Sequence, residues 1–264
     1  ATKISGSGFY FLKGNLAMLD LALQRFALDT IIAKGYTPVI PPYMINRKSY
    51  EEVTDLADFE KVMYKIEDDD AYLIATAEHP MAAMYQDEIF EEKDLPLKMV
   101  GVSPCFRREI GAHGLDSRGL FRVHQFTKIE QFIYCMPEDS WKYHEELLAN
   151  AEEIFTKLEL PYHVVNICTG DIGTVAAKKY DIEAWMPRDN EYREVVSCSN
   201  CTAYQACRLN IRVRDAHDFE SKQWLHTLNS TAVATSRALR CILENYQLED
   251  GRVEVPKVLQ PYMN

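Results

Sequence analysis

The sequence predicts an α+β fold in which helices pack against an antiparallel sheet. Three observations support this prediction. The 264 residues are 47% hydrophobic, which is enough to fill the core of one large domain. Two long stretches carry apolar residues at helical spacing. The predicted strands are often joined by tight loops and not regularly by helices, which favours antiparallel pairing over βαβ units.

Composition excludes several classes of protein. The formal net charge is −11, so the chain does not bind nucleic acid by bulk charge, and any phosphate contact must come from local arginine clusters. No apolar run approaches the length of a membrane span, and the N-terminal stretch ATKISGSG has no signal-peptide core. Seven scattered cysteines favour reduced thiols and a cytoplasmic location. No Gly/Ser-rich or Pro-rich linker divides the chain, so we expect one domain over residues 1–264.

Two long amphipathic helices are predicted. The first runs from Asn15 to Lys34 and is followed by Gly35, which is typical of a helix C-terminal cap. The second runs from Pro137 to Leu160, with its proline near the first turn and acidic residues at its start, where they suit the helix dipole. Both helices have an apolar face that we expect to cover a sheet.

Short apolar runs between these helices predict the strands. Prolines keep residues 36–44 extended, and a buried strand over 71–77 is followed by a helix over 78–90. The last third alternates strands and helices. Its predicted strands are 162–168, 178–186, 192–200 and 223–229, its helices are 201–211 and 231–247, and a turn with a short strand closes it at 250–256.

A predicted hairpin over residues 102–132 carries arginines, an aromatic ring and carboxylates. Its first strand bears Arg107, Arg108 and Glu109, and its second bears Arg122, Phe126 and Glu130. The last three positions differ by even numbers, so a regular strand places them on one face. Guanidinium groups match phosphate oxygens, an aromatic ring stacks on a base, and a carboxylate holds an ammonium group. This face predicts a site for a nucleotide beside an amino acid. The alternative is a surface sheet with cross-strand ion pairs.

Two further stretches carry polar groups that suit such a site. Thr76 and Glu78 are predicted at the end of a buried strand, on the same face. Glu194 and Ser197 offer a carboxylate and a hydroxyl, the oxygen ligands that Mg²⁺ prefers. Glu194 has the alternative interpretation of a surface charge paired with a cation.

The stretch LNSTAVATSRALR predicts a polar turn that leads into a helix. Asn229, Ser230 and Thr231 form the turn, and the helix bears Arg237. A helix N-terminus favours anions, and small residues allow close packing on a sheet. The alternative is a simple helix cap.

Several common catalytic motifs do not occur in the sequence. It contains no Gly-Lys-Ser/Thr phosphate loop, no Gly-x-Ser-x-Gly elbow and no His-Glu-x-x-His. Cys198 and Cys201 form a single Cys-x-x-Cys, with Cys207 and His226 further along, but a second close pair is missing. We therefore expect reduced thiols and no zinc.

Taken in order, these stretches resemble the class II aminoacyl-tRNA synthetases, and in detail the seryl-tRNA synthetases of an archaeal or eukaryote-like kind. The resemblance rests on GYTPVIPP, TAEHP, FRRE with GLFRVHQFTKIEQF, REVVSCSNCTAYQACRLNIR and LNSTAVATSRALRCILENYQLEDGRVEVPKVLQPYM, and it spans essentially the whole chain. It implies a six-stranded antiparallel active-site sheet flanked by helices. It also implies ligation of L-serine to tRNA(Ser) with ATP and Mg²⁺, by a homodimer with Pro42 at its interface.

The resemblance implies that the hairpin binds ATP. Arg107 would bridge the α-phosphate and the serine carboxylate, and Glu109 would read the adenine amino group. Arg122 would grip the distal phosphates of a bent ATP. Phe126 would stack under adenine, and Val123 is placed in the same site.

The later motifs complete the implied ATP site. Glu194 and Ser197 would bind Mg²⁺ and phosphate, and Arg237 would cover the second face of adenine. The catalytic residues would be Arg107, Arg122 and Arg237, which would stabilise the negative charge on the phosphate oxygens.

The resemblance also implies a serine pocket. Thr76 and Glu78 match the amino-acid-binding Thr-x-Glu, and Glu130 would take the serine ammonium group beside Arg107. The remaining two residues of the pocket, which would hold the serine hydroxyl, are Asn229 and Thr231.

Members of the family carry an N-terminal helical arm that reaches tRNA(Ser), and the sequence given has no counterpart of it. We therefore expect a catalytic core without the arm and weak, unselective transfer to tRNA. One alternative is a natural armless relative, such as the amino acid:carrier-protein ligases. The other is a synthetase paralogue without catalytic activity, which would be expected to lose the charged site residues that are present here.

Overall fold

The computed structural model describes residues 1–55, 60–109, 119–214 and 222–263. Within these ranges twelve strands are formed. In chain order they are β1 (Thr37–Val39), β2 (Met44–Asn46), β3 (Ala71–Leu73), β4 (Ile89–Glu91), β5 (Leu97–Phe106), β6 (Gln125–Cys135), β7 (Tyr162–Asn166), β8 (Lys178–Met186), β9 (Glu191–Thr202), β10 (Arg212–Arg214), β11 (Lys222–Trp224) and β12 (His226–Ala234).

The helices of the same ranges include three long ones. In chain order the α-helices are α1 (Thr2–Ser5), α2 (Asn15–Ile32), α3 (Arg47–Val53), α4 (Glu78–Ala83), α5 (Ser140–Lys157), α6 (Tyr204–Arg208) and α7 (Thr235–Asn245). Short 3₁₀ turns lie at Glu60–Val62, Glu92–Asp94, Pro137–Asp139 and Lys257–Tyr262. In the described part of the chain, none of these helices combines the length and apolar character that a membrane crossing requires.

The main sheet has the strand order β1-β5-β6-β12-β9-β8-β7. The β1–β5 pair is parallel, and each of the other neighbouring pairs is antiparallel. The predicted α+β class is therefore confirmed. The six antiparallel strands correspond to the sheet that the family resemblance implied, and β1 adds a parallel strand at one edge.

The two faces of the main sheet have different surroundings, as the alternation of side chains along β6 shows. Ile129 and Ile133 pack into the main hydrophobic core with side chains of α2, α5 and α7, such as Leu23, Leu147 and Leu239. Each of these side chains is fully buried, and burial of one such group stabilises the fold by about 1.5–3 kcal/mol. The even positions of β6 point to the opposite face, because successive strand residues alternate.

A second apolar cluster closes one end of that opposite face. Phe132 and Tyr134 of β6 pack there against Met81 of α4 and Ala206 of α6. The Tyr134 hydroxyl donates to the main-chain oxygen of Met81 at 2.6 Å, which fixes α4 on the sheet. The open end of the same face is left for polar side chains.

Both long predicted helices are present. α2 begins at Asn15 as predicted, and Gly35, with φ of +88°, donates its N–H to the Ile32 carbonyl beyond the last turn. The second predicted helix begins with the 3₁₀ turn at Pro137 and continues as α5.

Three predicted helices are shorter than the sequence indicates. The helix predicted over 78–90 ends at Ala83, and residues 89–91 form β4, which pairs with β10. The helix over 201–211 is reduced to α6. The helix over 231–247 begins at Thr235, because the preceding four residues belong to β12, which pairs there with β6. Sheet pairing thus overrides the helical preference of an alanine-rich stretch.

The predicted hairpin is formed by β5 and β6, but its strands are placed differently. Both arginines of FRRE and Glu109 follow the end of β5 at Phe106, and Arg122 precedes the start of β6 at Gln125. The connecting residues 110–118 lie outside the described part. The short strand predicted in 250–256 is limited to one bridge between Gln247 and Val253.

Candidate active site

A cavity of about 600 Å³ lies on the even-numbered face of β6. That volume is in the range of pockets that hold small-molecule ligands and cofactors. Twelve of the predicted site residues line it, from six separate segments of the chain. They are Thr76, Glu78, Arg107, Glu109, Arg122, Phe126, Glu130, Glu194, Ser197, Asn229, Thr231 and Arg237.

Arg107 and Phe126 form the aromatic and cationic part of the cavity. The guanidinium carbon of Arg107 lies 5.4 Å from the centre of the Phe126 ring. The Arg107 main-chain N–H donates to the His124 carbonyl at 2.9 Å, and the Arg107 Nε donates to the Ala75 carbonyl at 3.3 Å. Phe126 and Glu130 both face the cavity from β6, so the predicted alignment on one face holds for these two residues.

Arg122 reaches the same cavity without being part of the strand, which corrects the prediction for it. Its Nη1 lies 3.5 Å from Glu109 Oε2. Glu109 has a φ of +44°, a left-handed conformation that non-glycine residues rarely adopt and that is often found at functional sites. The ends of the hairpin strands therefore bring a cation and a carboxylate together.

Positive charge accumulates around Arg237, the third arginine of the cavity. Burial lowers the pKa of the Arg237 guanidinium, and nearby Arg107 and Arg122 lower it further, whereas Glu194 opposes this effect. Three cations lining one cavity repel one another. An anionic ligand would relieve that repulsion, as phosphate groups do.

A second part of the cavity, its acidic end, carries the carboxylates of Glu130 and Glu78. The Glu130 carboxylate is almost completely buried and lies 2.7 Å from Lys128 Nζ. Thr231 Oγ1 donates to the same carboxylate at 3.3 Å. Burial raises the pKa of Glu78 to about 7, and repulsion from Glu130 adds to this rise. A cationic group placed between these two carboxylates would favour the ionised form of Glu78.

Thr76 and Glu78 are placed differently from the prediction. They lie beyond β3, which ends at Leu73, and Glu78 is the first residue of α4. Thr76 Oγ1 accepts a hydrogen bond of 3.2 Å from the Glu78 N–H. The pair therefore forms the start of a helix, where a carboxylate is favoured by the helix dipole.

Asn229 and Thr231 also differ from the prediction, which placed them in a turn. Both lie within β12, two positions apart, so their side chains share the cavity face. They cannot form a turn because β12 is hydrogen-bonded to β6 on one side and to β9 on the other. Asn229 Nδ2 lies 3.4 Å from Cys201 Sγ.

Glu194 and Ser197 offer oxygen donors to the cavity from β9. Glu194 also forms an ion pair of 3.2 Å with Arg237, so the predicted alternative of a paired charge applies as well. Asp181 pairs with Ser197 across β8 and β9, is 5% exposed, and its Oδ1 has no hydrogen-bond partner among the described residues. Burial raises the pKa of Asp181 to about 6, with a contribution from Glu194. This donor set fits a hard divalent cation.

The cysteines do not form a metal site in the described ranges. All seven are free thiols. The described residues contain no group of three or more His, Cys, Asp or Glu side chains that could hold a metal ion, so the donor set of Glu194, Ser197 and Asp181 consists of two carboxylates and a hydroxyl. His226 instead contacts Ser140 Oγ at 2.9 Å.

Two other predicted residues lie away from the cavity. Val123 is buried and is not among the residues that line it, so a ligand contact through its side chain is not supported. Pro42 is exposed, in the connection between β1 and β2, and does not line the cavity either.

The sequence prediction missed several residues of the site. Lys128 lies between Phe126 and Glu130 at the same even spacing, so the spacing argument could have included it. His79 follows Glu78 and lines the cavity as a buried ring whose pKa burial lowers to about 3. Residues 171–176 also line the cavity, and no motif marked them.

The family comparison agrees with this architecture. A family profile described as "tRNA synthetase class II core domain (G, H, P, S and T)" matches residues 62–246. A serine–tRNA ligase of Methanocorpusculum labreanum is 92% identical over 264 residues, which are 100% of this chain and 62% of that relative.

Solved structures give the same result. The seryl-tRNA synthetase from Pyrococcus horikoshii, complexed with ATP, superposes with a TM-score of 0.97 at 63% identity and covers 100% of this chain and 59% of its own. The cytoplasmic serine-tRNA ligase from Naegleria fowleri, in complex with AMP, has a TM-score of 0.93 at 47% identity over 99% of this chain and 62% of its own.

The chain spans 62% of the length of three of the curated serine–tRNA ligases that it matches. It contains the class II core, the antiparallel sheet and the cavity. This chain therefore belongs to the class II aminoacyl-tRNA synthetases, and the curated relatives it matches are serine–tRNA ligases.

Proposed function

We propose that this chain activates L-serine with ATP to form seryl-adenylate, and that the protein transfers the seryl group to tRNA(Ser). The observation that carries the proposal is the cavity itself. Arg107 and Phe126 lie 5.4 Å apart at one part of it, and Glu130 with its partner Thr231 lies at another. The ATP bound to the Pyrococcus horikoshii relative supports the nucleotide assignment.

The first step needs no general base. The serine carboxylate is already ionised at neutral pH and attacks the α-phosphorus of ATP. A bond forms between a carboxylate oxygen and phosphorus, the bond from that phosphorus to the bridging oxygen breaks, and pyrophosphate leaves. The protein's task is to align two anions and to stabilise the charge on the phosphate oxygens. Arg107 and Arg122 would supply this charge.

The adenine base would lie between Phe126 and Arg237. An aromatic ring and a guanidinium plane both stack on a base. Glu109 would accept a hydrogen bond from the adenine amino group. Its position beside Arg122 supports this, because the distal phosphates of a bent ATP would then lie near their cation.

The serine pocket would lie at the acidic end of the cavity. The serine ammonium group would lie between Glu130 and Glu78, with Thr76 beside them. The pKa of Glu78 is raised mainly by burial and further by repulsion from Glu130, and the ammonium group would offset that repulsion. Asn229 and Thr231 would hold the serine hydroxyl. Alanine lacks this hydroxyl and would leave both polar groups without a partner, which is a large penalty in a buried pocket.

Mg²⁺ is part of the proposal. The Glu194 carboxylate and the Ser197 hydroxyl would hold it, and when bound it supplies positive charge to the phosphate oxygens. Glu194 would then interact with both the metal ion and Arg237, its ion-pair partner. Ser197 would bind the metal ion next to Asp181, which lies opposite it on the neighbouring strand.

The proposed partner is a second copy of the chain. Pro42 lies among exposed apolar side chains, with Ile40 78%, Tyr43 42% and Met44 54% accessible. Such a patch supports a homodimer interface at this edge of the sheet. Family members grip the tRNA with an N-terminal arm, so residues 1–264 tested by themselves would transfer the seryl group to tRNA(Ser) only weakly. The free thiols fit a cytoplasmic enzyme.

The test is serine-dependent exchange between ATP and pyrophosphate, with metal analysis of the same sample. We expect exchange with serine, weaker exchange with threonine and almost none with alanine. Threonine would be excluded only by steric fit, which is why we expect weak exchange with it. A preference for alanine, or an absence of exchange, would refute the proposal. Bound zinc together with transfer to a carrier-protein thiol would instead identify the armless ligase.

A further inference from the structure

Phe121 has an unusual environment. Its ring is 4% exposed, and three arginine side chains surround it. The guanidinium carbons lie 4.4 Å from the ring centre for Arg193, 4.8 Å for Arg237 and 5.3 Å for Arg240. All three distances are within the range in which a cation is attracted to the face of an aromatic ring.

The three arginines differ in their carboxylate partners. Arg193 lies 3.2 Å from Asp189 and 2.8 Å from Glu191. Arg240 lies 2.7 Å from the same Asp189, and its other carboxylate partner at 2.6 Å is Glu244. Each of these two guanidinium groups is therefore held by two carboxylates as well as by the ring.

Arg237 depends more on the ring. Its ion pair is with Glu194 at 3.2 Å, and it also donates to the Glu194 main-chain oxygen at 2.9 Å. In the proposed function the Glu194 carboxylate binds a cation with the nucleotide. Arg237 would then keep the main-chain contact and the face of Phe121.

Phe121 also precedes Arg122 directly. The Arg122 side chain lines the cavity and is 41% exposed, whereas the Phe121 ring is buried in the main core. The ring itself does not line the cavity. It therefore attaches the segment that carries Arg122 to α7, the helix that carries Arg237.

We propose that Phe121 is a positioning residue of the nucleotide site. By cation–π contact its ring holds Arg237 against the adenine position when Glu194 engages the metal, and it places Arg122 toward the distal phosphates. The inference rests on the ATP site of the proposed function. A side chain that only filled the core would affect the binding of ATP and of serine equally. The positioning role of Phe121 predicts an effect on ATP binding and little effect on serine binding.

The test compares substitutions that remove the aromatic face with one that keeps it. Phe121→Leu and Phe121→Met keep an apolar side chain without the ring quadrupole, and Phe121→Tyr keeps the ring. Phe155→Leu is the matched control, because Phe155 is fully buried in the same core on α5 and does not line the cavity. The readouts are the Kd of ATP by calorimetry and the KM values for ATP and serine in the exchange reaction.

We expect Phe121→Leu and Phe121→Met to weaken ATP binding by about 5- to 30-fold, the range of a desolvated cation–π contact. The KM for serine should change less than about 2-fold, and Phe121→Tyr should keep ATP binding within about 3-fold of the original chain. Unchanged ATP binding in both the Leu and the Met variants would overturn the inference. A combined loss of ATP and serine affinity that matches the effect of Phe155→Leu would also overturn it, because such a loss would come from a disturbed core.

Failure of the proposed function would give a different result. Calorimetry with ATP alone requires no serine chemistry. An original chain that binds ATP but shows no serine-dependent exchange would refute serine activation, and the effect of the Phe121 substitutions on the ATP Kd would still be measurable.

Discussion

Gln205 donates a hydrogen bond of 2.9 Å from its side-chain nitrogen to Glu78, a residue 127 positions earlier in the chain. The oxygen of the same amide accepts a bond of 2.7 Å from the Thr227 hydroxyl. This second bond fixes the orientation of the amide, so its donor points to the carboxylate. Gln205 is fully buried and therefore has no competing water from bulk solvent. It holds Glu78 in one position at the acidic end of the cavity.

We expect Gln205→Leu to weaken serine binding. The substitution leaves the Glu78 carboxylate and the Thr227 hydroxyl without their partner, and the loss of a bond to a charged group costs about 1.5–3 kcal/mol. The KM for serine in the exchange reaction should rise by at least about 10-fold, with the KM for ATP nearly constant.

The matched control is Gln86→Leu. Gln86 also donates a side-chain hydrogen bond to a glutamate, Glu52, at 2.9 Å, but neither residue lines the cavity. That variant should keep the serine KM of the original chain. Equal effects of the two substitutions would show that Gln205 contributes only to folding.

The binding of serine should depend on pH around neutrality. The pKa of Glu78 is raised to about 7, mainly by burial, so the carboxylate is ionised above that pH and neutral below it. A neutral Glu78 attracts the serine ammonium group less strongly. The KM for serine should therefore rise as pH falls from 8 to 6, and the KM for ATP should change little. Glu78→Gln should have a raised KM that no longer depends on pH, and a flat profile of the original chain would contradict the assignment.

Glu78→Gln should also stabilise the folded protein at high pH. Because the folded-state pKa of about 7 lies above the usual 4.5, the folded chain binds more protons than the unfolded chain between these values. Stability therefore falls as pH rises through this window, and it stays lower above pH 7. Removing the charge should recover on the order of 1–3 kcal/mol at pH 8 and almost nothing at pH 4.

Thermal or urea unfolding of the two proteins at both pH values measures this difference. The alternative carboxylate, Glu130, is a suitable comparison, because its ion pair with Lys128 compensates its charge. Glu130→Gln should destabilise the protein at pH 8, since it leaves a buried Lys128 charge without its partner. A destabilised Glu78→Gln at pH 8 would be inconsistent with this explanation.

Gly101 allows α4 to lie close to the sheet beside the site. A Cβ at this position would lie 2.8 Å from Ala77 Cβ and 2.8 Å from Met81 Cε, and Gly101 pairs with Glu130 on the neighbouring strand. Gly101→Ala should displace α4 together with Glu78, destabilise the fold by about 1–3 kcal/mol and raise the serine KM. Gly170→Ala is the control, since its new methyl group would meet only Cys168 Sγ at 3.8 Å. Unchanged stability and serine KM in Gly101→Ala would show that the helix adapts freely.

Arg107 should contribute most to the rate of activation. Arg107→Ala removes a preorganised cation and should reduce serine-dependent exchange by at least about 100-fold, or about 3 kcal/mol. Arg108→Ala changes the adjacent arginine, which is exposed and does not line the cavity, and it should retain nearly full activity. Near-normal exchange by Arg107→Ala would mean that another group neutralises the α-phosphate.

Local sequence patterns predicted much of the fold. The strand Lys178–Met186 and the helices from Asn15 and Pro137 agree with the structure because their patterns repeat over many residues. The same holds for the shared face of Phe126 and Glu130 in β6, since strand alternation is a local property of the backbone.

What the sequence by itself determined is thus the α+β class, the long elements and the residue types that line the site. The tertiary structure decided the rest. It placed Asn229 and Thr231 in a strand, because bonds to two neighbouring strands outweigh a local turn preference. It also brought Gln205 to Glu78 and placed three guanidinium groups around Phe121. These contacts join segments that are far apart in the chain, so no local pattern could contain them.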